Sequence, residues 1–326
     1  MLKISTAPHF QTSKDTRSIM LDVIIAMLPA TLVALLFFGI SALAVITVSV
    51  IGCVIIEYLF NKYCFKKGNT VNDLSAVITG MLLAFNLPSS MPLWMVLLGA
   101  FVAIVIGKLC YGGLGKNIFN PALVGRVFLF ISFPVQMTNW PKPEFLNFLN
   151  IDAQTSATTL GIIKHFDAQT SATQQIGNLP TYWQMFVGNI GGSLGEVSAL
   201  ALLIGLVYLL WRKIISWHIP VYYIGTFAIL TSVLWFLTGN LQYHPLTNLL
   251  SGGLMLGAIF MSTDYTTSPM TVKGKIIFAA GCGLLTAIIR FYSVYPEGVS
   301  FAILIMNALV PLIDKYIQTP YYGQRR

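Results

Sequence analysis

The sequence predicts an all-α, polytopic membrane protein with about ten transmembrane helices. They are expected as two inverted five-helix repeats, with the N- and C-termini both cytoplasmic. Three observations lead there. The 326 residues are 56% hydrophobic and only 9% charged, with a mean hydropathy of +0.76, whereas a soluble chain carries about 25% charged residues. The apolar residues fall into runs of roughly span length, separated by short polar turns. The basic residues are then unevenly shared between alternate turns, as membrane insertion requires.

The first 18 residues, MLKISTAPHFQTSKDTRS, are polar and do not have the form of a cleavable leader. Apolar runs follow at about 18–38, 41–60, 73–88, 92–112 and 119–134, and again at about 196–211, 219–237, 248–263, 274–292 and 299–316. With the N-terminus inside, Lys3, Lys14, Arg17, Lys62, Lys66, Lys67, Lys108, Lys116, Arg126, Arg212, Lys213, Lys273, Lys275, Lys315, Arg325 and Arg326 fall on the inner side. Only Lys142, Lys164 and Arg290 of the 19 basic residues fall outside. An odd miscount of spans would scramble this asymmetry, so it supports the even count and the orientation together.

Within the chain, 71–134 and 246–316 look alike. In each, a short Gly-bearing span ends in a polar, Pro-containing turn: SAVITGMLLAFNLPSSMP in one and NLLSGGLMLGAIFMSTDYTTSPM in the other. A full span follows, then a polar-capped last helix containing an Asn. Five spans per half force the second copy upside down, the mark of an inverted repeat whose short or interrupted helices point at a central site. Here those are the third (Gly80, Asn86, Pro88) and eighth (Gly252, Gly253, Gly257, Asp264). Close packing of small residues is the simpler use of the glycines alone. The organisation is therefore 1–134 as one repeat, 135–195 as an extracytoplasmic connector and 196–326 as the second repeat.

Composition also excludes functions. The net charge of +8 lies in short loops and not in a basic stripe interleaved with aromatics, so no nucleic-acid partner is expected. Cys53, Cys64, Cys110 and Cys282 form no CxxC pair, and His9, His165, His218 and His244 are scattered, so no metal site is assigned. No Walker A, GxGxxG, HExxH or nucleophile-elbow sequence occurs. Asp22, Glu57, Asp73, Glu196, Asp264, Arg290 and Asp314 lie near span ends, where snorkelling or a local ion pair explains most ionisable groups. Asp264 is the exception: after Ser262 and Thr263, at the end of an interrupted helix, it has the oxygen donors that a cation such as Na⁺ takes. Asn117, Asn120 and Asn307 offer donor and acceptor pairs that suit a heterocycle, though Asn also serves as glue between helices. Trp183, Trp211, Trp217 and Trp235 read as interfacial belt residues.

One polar stretch stands apart. The heptapeptide DAQTSAT occurs twice, at 152–158 and 167–173, in the connector between the halves. By itself it reads as a hydroxyl-rich linker.

STAPHF near the start, DVIIAMLPA in the first span, GKNIFNPALVGRVFL in the fifth and FMSTDYTTSPMT after the eighth resemble the D-subunit family of Rnf electron-transport complexes. They resemble more distantly the B subunit of the Na⁺-pumping NADH:quinone oxidoreductase. The resemblance implies FMN joined by a phosphoester bond to a threonine in a motif D-x-x-(S/T)-(G/S)-A-T-x-L. DAQTSATTL matches it with Asp152, Thr155, Ser156, Ala157, the acceptor Thr158 and Leu160, followed by Gly161. Thr159 stands where Pro is frequent and Ser156 where Gly is frequent. The second copy offers Thr173 as an alternative attachment point, but Gln174–Gln175 replace its tail.

By the same resemblance the chain is a flavin-carrying subunit of a bacterial cytoplasmic (inner) membrane translocase. The complex couples electron transfer between ferredoxin and NAD to Na⁺ or H⁺ movement, and the isolated subunit is not expected to be active. Implied partners are the other Rnf subunits, among them a second covalent-FMN subunit and iron–sulfur subunits, with a flavin transferase for maturation. A riboflavin within the bundle is a further implication, with no residues assigned to it. The contrasting reading is an inverted-repeat secondary transporter or channel without a redox role, since architecture does not separate the two.

Overall fold

The computed structural model describes residues 15–65, 71–145, 158–164, 180–293 and 297–318. Among the described residues the regular elements are helices, and no strand occurs. The long apolar opening becomes α1 (Thr16–Tyr63), 48 residues. At 1.5 Å per residue it rises about 72 Å, far more than a hydrocarbon core of about 30 Å. Gly39 breaks it, with φ +61° and ψ −140°, into two arms of span length that correspond to the runs expected at 18–38 and 41–60. A side chain with a Cβ is disfavoured in that backbone region.

There follow α2 (Ser75–Phe85) and α3 (Leu93–Phe101), the latter prolonged by a π turn at Val102–Ile106 and a 3₁₀ turn at Leu109–Tyr111. Next come α4 (Pro121–Ser132) and α5 (Pro134–Met137), then the short α6 (Thr159–Lys164) and α7 (Tyr182–Val187). The second half holds α8 (Ala199–Trp211), α9 (His218–Thr238), α10 (Pro245–Leu250) and α11 (Leu254–Leu256), the last running into a second π turn, Gly257–Met261. It closes with α12 (Val272–Tyr292) and α13 (Val299–Tyr316).

Five of these stretches are long and apolar enough to cross a membrane: α1, Leu93–Tyr111, α9, α12 and α13. Three more, α2, α4 and α8, are apolar but shorter. Large hydrophobic side chains such as Leu32, Ile51, Val207 and Phe236 point outward, more than half exposed. An apolar exterior of this extent is stable only against lipid. The chain is a multi-pass helical membrane protein.

Within it, α1 packs on α2, α3 and α8, while α9 and α13 both pack on α12, and α4 reaches α13 across the halves. The eighth expected span, 248–263, is interrupted at Ser251–Gly253, between α10 and α11, as the Gly pair suggests. The third stops at Phe85, with the Asn86 amide turned back to Leu82 O at 2.5 Å. Its free carbonyls, a necessity at any helix C-terminus, are taken by the chain entering α8: Gly195 N–H donates to Phe85 O at 2.8 Å and Leu194 N–H to Leu87 O at 3.2 Å. The expected connector boundary at 195 thus falls inside a buried turn.

The basic residues need one correction. Lys108 and Arg126, counted as inner-loop charges, are buried in ion pairs. The charge asymmetry therefore rests on the other fourteen inner residues. Of these, Lys3, Lys14, Lys66, Lys67, Arg325 and Arg326 lie outside the described residues.

Candidate functional site

Hydrocarbon cannot solvate charge, so buried ionic groups must be held by one another. Lys108 Nζ lies 2.7 Å from Glu57 Oε2 and 2.6 Å from Ser75 Oγ, joining α1, α2 and the end of the α3 stretch. Arg126, in α4, donates from Nη1 to Asn86 Oδ1 and to Ser300 Oγ, each at 2.8 Å, and from Nη2 to Glu297. Asn86 and Arg126 belong to the first half, Glu297 and Ser300 to the second, so this network ties the halves together. Asp22 accepts from Tyr208 Oη at 2.9 Å and pairs with Arg212 at 3.2 Å. A local ion pair thus accounts for Asp22 and Glu57, as expected. Asp73 caps α2 through Ser75 N–H at 2.9 Å, and Asp314 accepts from Met270 N–H at 3.2 Å.

Asn117, Asn120 and Asp264 meet in one cavity. It has about 780 Å³ of free space, partly open to solvent, and is also lined by Thr79, Lys108 and Thr263. Asn117 Nδ2 donates to Phe119 O at 3.1 Å, while its buried Oδ1 has no partner among the described residues. Asn120 lines the same space, but its amide is committed. Oδ1 caps α4, accepting from Ala122 N–H at 3.1 Å and Leu123 N–H at 3.4 Å, and Nδ2 donates to Met261 O at 3.1 Å. The Asp264 carboxylate accepts from Thr266 Oγ1 at 3.0 Å and Thr267 Oγ1 at 3.4 Å. Ser262 and Thr263 donate their hydroxyls one turn back, to Ala258 O and Ile259 O. The cavity is therefore lined by a carbonyl-type acceptor with no partner among the described residues, a carboxylate steadied by threonines and a lysine already paired with Glu57, on mostly apolar walls. That donor and acceptor set suits the polar edge of a planar heterocycle.

Thr158 begins α6. Its hydroxyl oxygen, half-buried, accepts from Gly161 N–H at 3.0 Å, and its carbonyl accepts from Ile162 N–H at 2.9 Å. A Cβ at residue 161 would lie 3.1 Å from that hydroxyl, so the glycine keeps space open beside the proposed acceptor oxygen. Leu160 and Ile163 are buried, which docks α6 on the second half. Asp152, Thr155, Ser156, Ala157 and Thr173 lie outside the described residues. α6 reaches Arg290 and Phe291 at the C-terminal end of α12, whereas Asp264 precedes the N-terminal end of that helix. Its 21 residues rise about 30 Å, so Thr158 and the cavity occupy opposite ends of the bundle.

A cavity at one end, a docked hydroxyl at the other and a buried ionic seam between the two halves of the chain define a multi-pass helical membrane protein with polar groups held in its interior. The particular family follows from comparison with known proteins. The model of the NQR2, RnfD, RnfE family matches residues 3–323, and the chain belongs to that family. It is 46% identical over 324 residues to the D subunit of the Na⁺-translocating ferredoxin:NAD⁺ oxidoreductase complex of Acetobacterium woodii, covering 99% of this chain and 95% of that one. It is 45% identical over 323 residues to the D subunit of the proton-translocating ferredoxin:NAD⁺ oxidoreductase complex of Clostridium ljungdahlii, covering 99% and 96%. The D subunit of the ion-translocating oxidoreductase complex of Mannheimia succiniciproducens is 37% identical over 351 residues, covering 99% and 98%.

Sequence reasoning missed the Lys108–Glu57–Ser75 cluster and the role of Arg126. A lone Glu57 inside an apolar run was the available signal, since such a charge demands a partner.

Proposed function

We propose that this chain is the flavin-carrying membrane subunit of an Rnf-type complex that couples electron transfer between ferredoxin and NAD to Na⁺ or H⁺ translocation, with FMN esterified to Thr158 at the outer face. The observation that carries the reading is the Thr158 hydroxyl, placed at the start of a docked helix with a glycine beside it. The ion-translocating, ferredoxin:NAD⁺ names of the relatives supply the reaction class. The other subunits of such a complex, iron–sulfur subunits and a second covalent-FMN subunit among them, are the electron donors and acceptors in this reading.

In maturation, Thr158 Oγ attacks the flavin-side phosphorus of FAD, presented by a transferase. The Oγ–P bond forms, the pyrophosphate P–O bond breaks, AMP leaves and the hydroxyl proton passes to a base of the transferase. When bound, the flavin supplies one- and two-electron redox chemistry. The chain's own part is to fix the tether through α6 and to keep it from diffusing away. At the opposite end, Asn117 and Asp264 would orient a second, non-covalent ring such as riboflavin. In keeping with the family pattern, ten spans in two inverted halves are the proposed topology, in a bacterial inner membrane.

The test is direct. In the purified complex, Thr158→Val should remove the fluorescent band of this subunit from a denaturing gel, and peptide mass spectrometry of the unmodified protein should find the flavin phosphate on Thr158. Survival of the band moves the site to Thr173; no adduct on either threonine defeats the covalent reading. The contrasting reading, a transporter without redox role, draws on the interrupted α10–α11 segment, whose continuation at 260–266 lines the cavity. Solute flux in liposomes by a flavin-free subunit would establish it instead.

A further inference from the structure

Arg290 presents a problem that the proposed electron-carrying role does not resolve. It lies in the last turn of α12, 3% exposed. Nη1 donates to Asn248 O at 2.6 Å, and the guanidinium sits 4.9 Å from the centre of the Phe227 ring. Nε and Nη2 have no hydrogen-bond partner among the described residues. These two nitrogens form one edge of the guanidinium, the fork that grips two oxygens of a single anion. Leaving such a charged edge buried and empty is costly, and native structures rarely do so.

The backbone beside that edge is a glycine. Gly252, at φ +72°, lets Arg290 and Leu160 approach the backbone closely; a Cβ would lie 3.0 Å from Nη2 and 2.5 Å from Leu160 Cδ1. The hollow beside it, about 220 Å³ of free space partly open to the outside, is bounded by Leu160, Ile163, Lys164, Gln242, Asn248, Arg290 and Phe291. Among the described residues, no Asp or Glu lines it. The carboxylates that act on Arg290 through space are Glu297 and Glu196. Glu297 is engaged by Arg126; Glu196 accepts from Ser193 N–H at 3.1 Å through Oε1, and its Oε2 has no hydrogen-bond partner among the described residues. Lys164 faces the hollow from α6, outside the spanning segments, and gives one hydrogen bond to Ser293 O. Burial lowers the pKa of its ammonium, and no carboxylate offsets this. Two cations therefore line a small hollow that, among the described residues, no carboxylate lines.

We propose that Arg290 and Lys164 form a phosphate-binding site, and that its occupant is the phosphate of the flavin nucleotide esterified to Thr158. This rests on the proposed attachment. The identification follows from the fork geometry, the double positive charge and the position of Thr158 immediately before the short helix that carries Leu160 and Lys164, which line the site. The phosphate then clips α6 to the end of α12, holding the tethered flavin in a fixed position on the second half. A lipid headgroup phosphate or free phosphate would satisfy the same chemistry from another source.

Trypsin cleavage after Lys164 in the intact, detergent-purified complex reports whether α6 is clipped down. Slow cleavage is expected in the unmodified complex once mass spectrometry has found the flavin on Thr158. Arg290→Gln and Thr158→Val should each accelerate it by about tenfold or more, the weight of charge-assisted hydrogen bonds. The double variant should cleave no faster than either single one, because both remove the same interaction. Arg290→Lys should fall between. Additive effects, or a Thr158→Val complex that cleaves as slowly as the unmodified one, would overturn the assignment to the flavin phosphate; the latter would point to a lipid or free phosphate. If Thr158 carries no flavin, the attachment itself fails. The anion site is then decided by inorganic phosphate, which must slow cleavage in the unmodified chain and not in Arg290→Gln.

Discussion

Replacing Lys108 by Met removes the cation that pairs with the Glu57 carboxylate. Both side chains are nearly inaccessible, at 3% and 1% exposure, and their charged atoms lie 2.7 Å apart. Removing one member leaves a carboxylate in a low-dielectric interior without its counter-charge. The measured cost of breaking such pairs is about 3–5 kcal/mol. At about 1.4 kcal/mol per tenfold change in an equilibrium constant, this loss is roughly two to four powers of ten in the folding equilibrium. Ser75 Oγ, 2.6 Å from the ammonium, loses that partner as well. The double variant Lys108→Met/Glu57→Gln removes the charge as well as its partner and should recover most of the loss, to within about 1–2 kcal/mol of the unmodified protein. The assay is a denaturant or thermal titration of the purified complex, followed by the fraction of this subunit that stays folded. If the double variant is no more stable than Lys108→Met alone, uncompensated charge is not the source of the loss and the reasoning is wrong.

Three further substitutions probe other parts of the fold by the same titration. Gly39→Ala forces a Cβ into φ +61°, ψ −140° and should cost about 1–3 kcal/mol; no change would mean that the break in α1 relaxes freely. Asn120→Ala removes the α4 cap and the link to Met261 O, a loss of about 0.5–2 kcal/mol from the cap alone. A near-neutral result would show that water replaces the cap. Arg126→Leu strips Asn86, Ser300 and Glu297 of their common donor and should destabilise by about 3–5 kcal/mol, with Arg126→Leu/Glu297→Gln partly restored.

The sequence by itself determined the solvent, because 56% hydrophobic and 9% charged residues leave lipid as the stable surroundings. It also placed the helix breaks. Short polar interruptions near Gly39, Asn86 and Gly252 are local properties of the chain, and each is found where the residues indicate. The motif around Thr158 was likewise visible as a string. What the string could not show is who meets whom. Lys108 and Arg126 resemble loop charges in one dimension, since a basic residue beside glycines or at a helix start reads the same whether it faces water or a carboxylate. Only the packing of α1 and α2 on the α3 stretch, and of α4 on α13, brings Glu57 and Glu297 to them. Asn117 and Asp264 were singled out separately; tertiary structure put them in one cavity and turned Asn120 into a cap. Arg290, set aside as a residue near a span end, became a buried fork beside α6. Hydropathy fixes which segments leave water, but a buried charge acquires its meaning from partners distant in sequence, and those are chosen by how the helices pack.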